Sequence, residues 1–308
     1  MENIELTFET LQVGHIPSLQ SLYRQIFKKT TDSDYFSVKY GLFLNDQTQL
    51  SIVAKLENEA IGFFGAISQE YYLEGVRYKF AYTCDYFIQK EYRGKNIFTK
   101  LYQEFLLQLK KQGYDYVYAF DSEQTHKFGQ KNGWTSLNPM IGYEIKSFPK
   151  VVKSILTRTT PKNWTENRLK AELTPHLTDL GSHDFNIKDG AMHYDAKFFK
   201  MKYLKNKYFI MLHGCTLWLK YDYRLTVGYF FATPDAEIDK MITSLKIIAR
   251  NSGIHHVVFH FKPEDTERKK IEAYLTPFQS YKMSNLQISD SAPDFNRFHI
   301  ELMNGDVF

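Results

Sequence analysis

The chain has 308 residues, about twice the usual single-domain length, so two compact domains or one large one are expected. Its composition, 43% hydrophobic and 24% charged, is that of an ordinary soluble globular protein and excludes fibrous and disordered classes. The net charge of +4 is spread without long runs of one sign, which argues against nucleic acid as the main ligand but allows a local basic loop to hold a small anion.

Two cysteines, Cys84 and Cys215, each sit in an apolar stretch and indicate no disulfide framework. The start, Met1 to Glu5, lacks the basic and apolar segments of a signal peptide, and no 18-residue apolar run reads as a membrane span. A cytoplasmic protein without membrane contact is expected.

Residues 4 to 9 alternate as a short strand. From His15, the spacing of Ile16, Leu19, Leu22, Tyr23 and Ile26 predicts a helix with one apolar face. Three strands follow, over Ile52 to Leu56, Ile61 to Tyr72 and Tyr78 to Ile88, separated by the turn signals Glu57-Asn58-Glu59 and Glu74-Gly75. A helix is predicted from Ile97 to Gln112, carrying Leu101, Phe105, Leu106 and Leu109 on one side and stopped by Gly113. Tyr116 to Phe120 reads as a buried strand, and Thr125 to Asn132 as a short helix ended by Gly133-Trp134.

The second half repeats this layout. Asp34 to Tyr40 is echoed by Lys197 to Tyr203, Ile61-Gly62-Phe63-Phe64 by Val227-Gly228-Tyr229-Phe230, and the helix ending at Gly113 with its strand by the helix ending at Gly253 with His256 to His260. The offsets, 163, 166 and 140, imply that about 26 residues of the first half, around the last strand of the meander, lack a counterpart. The expected domains are residues 1–148 and 149–308, divided near Pro149, with a connecting helix and loop over residues 159–190.

The segment that carries chemistry is Tyr86-Phe87-Ile88-Gln89-Lys90-Glu91-Tyr92-Arg93-Gly94-Lys95-Asn96-Ile97-Phe98. It runs from a strand through a basic, glycine-containing turn into a helix. Such a turn presents unpaired backbone N–H groups and the positive end of the helix dipole, which together cradle a phosphate or pyrophosphate. Gly94 would let the ligand approach the backbone, and Arg93 and Lys95 would add charge. A solvated basic turn before an ordinary helix is the alternative.

With the closing Lys131-Asn132-Gly133-Trp134, residues 1 to about 147 resemble the GNAT superfamily of acyl-CoA N-acyltransferases. The resemblance implies an α/β (α+β) fold of tandem GNAT-like domains, each a mixed, mostly antiparallel sheet flanked by helices, the second degenerate and without a pyrophosphate loop. It implies that Arg93, Gly94, Lys95, Asn96, Ile97 and Phe98 bind the pyrophosphate of acetyl-CoA, and that Phe87 and Ile88 hydrogen-bond the pantetheine arm. Asn96 and Phe98 replace the small residues usual in that loop. Asn tolerates positive φ, whereas Phe98 would crowd the pyrophosphate unless its ring turns into the core. A Phe at this position, the segment Tyr35 to Tyr40 and a duplicated second half are similar to one branch of the superfamily.

Acyl transfer to an amine needs a neutral amine, a polarised thioester and a proton for the leaving thiolate. Asp85 is the candidate to orient or deprotonate the amine, and Tyr82 the second choice; a satisfied polar group in the sheet is the plain reading of Asp85. The Tyr that serves many relatives as thiol acid is missing, and His126 is either its substitute or a surface residue. Ser122 either caps the next helix or touches the cofactor. His255, His256 and His260 crowd one strand without a Cys or carboxylate at ligand spacing, so no metal site is expected. The expected activity is transfer of acetyl from acetyl-CoA to a small-molecule amine, with an amino sugar or polysaccharide precursor favoured. A non-catalytic acyl-CoA-binding or scaffold protein, and a tRNA-dependent aminoacyl transferase of the peptidoglycan type, are the alternatives.

Overall fold

The computed structural model describes residues 6–43, 49–148, 162–179, 189–202 and 207–305. Residues 4 and 5, Pro149 and Tyr203, on which parts of the sequence reading fell, lie outside that set.

The first half contains strands β1 (Leu6–Thr10), β2 (Ile52–Leu56), β3 (Glu59–Leu73), β4 (Val76–Ile88), β5 (Tyr116–Asp121), β6 (Thr135–Ser136) and β7 (Ile141–Lys146). Its helices are α1 (Ile16–Phe27), α2 (Tyr35–Lys39), α3 (Ile97–Lys111) and α4 (Glu123–Lys131). The second half adds α5 (Lys162–Leu173), α6 (Ala196–Met201), β8 (Lys207–Leu212), β9 (Cys215–Asp222), β10 (Arg224–Ala232), α7 (Ile238–Ser252), β11 (His256–Phe261), α8 (Thr266–Glu272), β12 (Pro277–Gln279) and β13 (Lys282–Gln287). The helical spacings predicted α1 and α3 because each places one apolar row on the core. Ile16, Leu19 and Leu22 are buried on α1, and Leu101, Phe105 and Leu109 on α3.

The strands form two sheets, in the orders β1-β2-β3-β4-β5-β13-β6 and β12-β7-β11-β10-β9-β8. Each sheet takes its closing strand from the other half of the chain. Strand β7 runs antiparallel to β11, Tyr143 opposite Phe259, while β13 runs antiparallel to β5, Ser284 opposite Ala119. The 148/149 division therefore cuts between halves whose sheets are interlaced.

The topology also corrects the second of the three sequence echoes. Val227 to Phe230 lies on β10, and β10 is the counterpart of β4, not of β3. Both strands have an antiparallel neighbour before them and a parallel one after them, β5 or β11, and both feed a 15-residue helix. The match to Ile61 to Phe64 arose because any buried aromatic strand of alternating pattern resembles another. With β4 aligned to β10 the missing residues need not fall in one gap at the end of the meander. The second half is shortened along its hairpin instead, where β9 and β10 have 8 and 9 residues against 15 and 13 in β3 and β4.

Three cores hold these layers. One fills the face of the first sheet against α3, around Phe64, Leu101, Phe105 and Val117. Another fills the second sheet against α5 and α7, around Leu217, Leu225, Leu245 and Phe259. The third lies between the halves, where Phe36, Tyr71 and Phe80 meet Phe209, Trp218, Tyr229 and Phe298. No described helix is long and apolar enough to cross a membrane.

Candidate active site

A bulge in β4 organises the site. Phe64 of β3 opposes Tyr86 and the next residue, Gly65, opposes Cys84, so Asp85 is the extra residue and takes φ +52°. Asp is among the few residues that adopt this left-handed conformation at low cost. The extra residue reverses the alternation along the strand. Tyr82 and Cys84 pack toward α1 and α2, whereas Tyr86 and Ile88 pack toward α3. Gly65 makes room for the bulge, because a Cβ there would lie 2.3 Å from the Tyr40 hydroxyl and 2.5 Å from the Cys84 carbonyl.

Next to the bulge the sheet opens. The parallel ladder between β4 and β5 runs only over Phe80↔Tyr116, Ala81↔Val117 and Tyr82↔Tyr118. Beyond it the strands diverge around a narrow cleft lined by Phe64, Tyr86, Phe98, Tyr102, Asp121 and Phe128 among others. The free edge of β4 at Phe87 and Ile88 can pair with an extended, amide-containing chain.

The basic turn stands beside this opening. Gly94 has φ +77° with nothing within 4 Å of where a Cβ would stand, so a ligand can reach the backbone there. Asn96 caps α3 in the left-handed region at φ +59°, without a capping bond from its side chain. In the first turn of α3 the N–H groups of Ile97, Phe98 and Thr99 precede any intrahelical acceptor. Arg93 donates from Nε to the Ile88 carbonyl at 3.1 Å, which ties the turn to the end of β4. Lys95 lies over the Tyr92 ring at 5.0 Å. The Phe98 ring turns into an aromatic group, 4.7 Å from Phe128 and 5.8 Å from Phe64 and from Tyr86. The crowding that the sequence threatened is therefore relieved, and the turn fits a pyrophosphate by its donors and its open backbone.

The opposite face of β4 carries Asp85. Its Oδ2 accepts from Lys39 Nζ at 2.5 Å and from the Tyr40 hydroxyl at 2.8 Å. Lys39, on α2, is only 5% exposed and also donates to the Tyr35 hydroxyl at 3.2 Å. The sequence had marked this α2 segment by its family likeness and its echo in the second half, but nothing local links residues 39 and 85. Tyr82 is buried against the rings of Tyr118 and Phe120, with Gly305 laid over it. A buried polar network ties this last segment down. Tyr118 donates to Gln69 at 2.7 Å, and Gln69 donates to the Asn304 carbonyl at 2.6 Å.

On the cleft side, Asp121 ends β5. Its Oδ2 accepts from the Ser284 hydroxyl of β13 and lies 3.3 Å from His126 Nδ1, while His126 Nε2 lies 3.3 Å from Ser136 Oγ. Burial pushes the Asp121 carboxyl up, against the lowering effect of its Ser284 and His126 partners. Sequence reasoning passed over Asp121; its one signal was a carboxylate closing a buried strand five residues before His126. Ser122 caps α4, accepting from the Thr125 N–H at 3.2 Å, and is exposed.

The counterpart opening between β10 and β11 differs in chemistry. The turn after β10 is Thr233-Pro234-Asp235-Ala236-Glu237, shorter and acidic, and α7 begins with Asp239 in its first turn. Negative charge at a helix start repels an anion. His256 pairs with Glu144 at 2.7 Å and His260 with Ser280 at 2.6 Å, so these histidines do not converge. Burial, aided by Arg224, pushes His260 down to about 3. An unfolded His takes a proton near pH 6.5, whereas the folded one resists until about pH 3, so stability falls as pH drops through that window. Denaturant titrations at pH 7 and pH 5 are expected to show this loss, at up to about 1.4 kcal/mol per pH unit, and His260→Asn to flatten it. Equal losses in both proteins would show that other groups carry the acid sensitivity.

Residues 16–134 match the model of the acetyltransferase (GNAT) family. No curated protein matches the chain in sequence. Among solved structures, a GCN5-related N-acetyltransferase from Kribbella flavida is similar at 11% identity and TM-score 0.57, over 92% of this chain and 72% of that one. Another from Anabaena variabilis is similar at 13% identity and TM-score 0.57, over 92% and 73%. A tandem GNAT protein from the clavulanic acid biosynthesis pathway is similar at 10% identity and TM-score 0.50, over 94% and 100%. At such identities the likeness is one of fold, and it extends through both halves.

Proposed function

We propose that the chain acts as an acetyltransferase of the GNAT type, whose family model residues 16–134 match, and that it transfers acetyl from acetyl-CoA to the amine of a small molecule, an amino sugar or polysaccharide precursor. The observation that carries this reading is the open, basic turn at Arg93 to Phe98 leading into the cleft between β4 and β5. In this reading the N–H groups of the turn, with Arg93 and Lys95, hold the pyrophosphate, and the edge of β4 at Phe87 and Ile88 binds the pantetheine amides. Ser122, between the cleft-lining residues Asp121 and Thr125, would border the cofactor while it caps α4. The thioester of the bound substrate supplies the activated acetyl group.

Asp85 lies on the other face of the opening. There it receives the ammonium of the acceptor and takes its proton, and Tyr82 shapes the floor below. Lys39 and Tyr40 hold Asp85 fixed in direction. The half-buried rings of Tyr35 and Phe198 would border a sugar ring on that side. Residues 149–308 read as a duplicated domain whose acidic turn no longer binds CoA and whose sheet completes the fold of the first.

The test is calorimetry with acetyl-CoA on the intact protein and on the Arg93→Glu, Gly94→Trp variant. Loss of at least about tenfold in affinity is expected, since the variant reverses a charge and forces a bulky residue into a left-handed position. Intact protein that binds no acetyl-CoA, longer acyl-CoA or free CoA would overturn the reading. A non-catalytic CoA-binding protein would bind equally well but release no thiol with any amine.

A further inference from the structure

We propose that Asp121, backed by His126, is the acid that protonates the departing CoA sulfur. This rests on the transferase reading above.

The argument starts from the two faces of the opening. The bulge sends Asp85 to the side of α2, while the unbroken alternation of β5 leaves Asp121 on the side of α3 and α4, lining the cleft. An acceptor and a thioester must meet through the gap from opposite faces. A carboxylate on each side is then placed for opposite proton transfers. Three titratable side chains line the cleft: Tyr86, Tyr102 and Asp121. Burial drives the Tyr86 hydroxyl well above its ordinary value, and burial also raises Tyr102, whose oxygen accepts from Trp134 Nε1 at 2.7 Å. A phenol so perturbed is a weaker acid than a thiol of pKa about 8.5, so its proton would move uphill to a thiolate. Asp121 is the one carboxyl among the three, and burial pushes it up, toward holding a proton.

The bonds from Ser284 and His126 both fall on Oδ2, Thr125 is a further hydrogen-bond partner of the carboxyl, and the side chain lines the cleft where a sulfur would lie. The side chain is only 3% exposed, so a proton must reach it through a relay. His126 supplies one, since its Nε2 reaches Ser136 at the surface. The groups facing Asp121 are His126 and Thr125 of α4, Ser284 of β13 and Tyr86 of β4; Glu123 and Lys282 beside them pair with each other at 2.6 Å.

In the balanced step, the amine nitrogen bonds to the carbonyl carbon and the carbon–sulfur bond breaks. The ammonium proton passes first to Asp85 and on to solvent, the second nitrogen proton leaves by the same route as the amide forms, the carboxyl proton of Asp121 passes to sulfur, and solvent returns a proton to Asp121 through His126.

The experiment measures CoA thiol release from acetyl-CoA with a panel of primary amines, and acetyl-CoA affinity by calorimetry, for the intact protein, Asp121→Asn and His126→Gln. Asp121→Asn is expected to lower kcat by about 100-fold with affinity unchanged, and to remove the fall in rate on the alkaline side where the acid loses its proton. His126→Gln, at a less critical position for folding, is expected to slow turnover by about tenfold and to be restored by imidazole in the buffer. If Asp121→Asn does not fold, an unimpaired His126→Gln overturns the assignment by itself. A folded Asp121→Asn with kcat and alkaline limb unchanged also overturns it and leaves the transferase reading standing. Intact protein that binds no acetyl-CoA, or releases no thiol with any amine, overturns both.

Discussion

Neither residues 1–148 nor residues 149–308 are expected to fold alone. Strand β7 finds its hydrogen-bond partners only in the second sheet, where it lies between β11 and β12, and β13 finds its own only between β5 and β6 of the first. Cutting the chain removes from the second core the buried side chains of Tyr143 and Ile145. Losing an aromatic and an aliphatic core residue costs about 5 kcal/mol or more, comparable with the whole stability of an ordinary domain. The first half would lose buried Met283 and the Ser284 contact to Asp121, and β5 would become an open edge prone to aggregation. Separately expressed halves should give poorly dispersed amide spectra, and co-expressed halves should recover a single folded complex. A monomeric, well-dispersed 1–148 fragment would contradict this.

Lys39→Met is expected to destabilise the protein by about 3 kcal/mol, because it strands the Asp85 carboxylate in a largely buried place. The Asp85 side chain retains 17% exposure, which lets some water reach it and puts the cost at the lower end for a broken buried pair. The aliphatic stem of Met replaces that of Lys, so the loss comes from charge and not from a cavity. A thermal midpoint lower by about 6 °C or more is expected, and the double variant Lys39→Met, Asp85→Asn should recover most of it. Asn suits that double variant because it tolerates the left-handed φ of residue 85. An unchanged midpoint in Lys39→Met, or no recovery in the double variant, would show that the ion pair is not what holds α2 to the bulge.

Much of the architecture was legible in residue order. The helical spacing of Ile16, Leu19 and Leu22, the turn pairs at Glu57 and Glu74, and the stop at Gly113 are local signals, and local signals determine local elements. So β2 and α3 stand within a residue or two of where the pattern puts them. The basic turn at Arg93 to Phe98 was legible for the same reason: a charge, a glycine and a helix start are all encoded within a few residues. The repeat was visible too, but its register was not, because β3 and β10 share an aromatic pattern that says nothing about which neighbour each strand takes.

By itself, then, the sequence determined the elements, the doubling and the basic, glycine-containing turn before α3, since each depends on spacing along the chain. Only the tertiary structure decided that β7 and β13 change sheets, that the Phe98 ring turns away from the turn, that Lys39 and Tyr40 meet Asp85, and that Asp121 looks into the cleft with His126 and Ser284 behind it. The ties of Tyr40 to Asp85 and of Ser284 to Asp121 join residues 45 and 163 positions apart. These outcomes depend on which sheet edge is open, which face a one-residue bulge selects and which buried charge finds a partner, and these are settled by competition among packed surfaces and not by any local pattern.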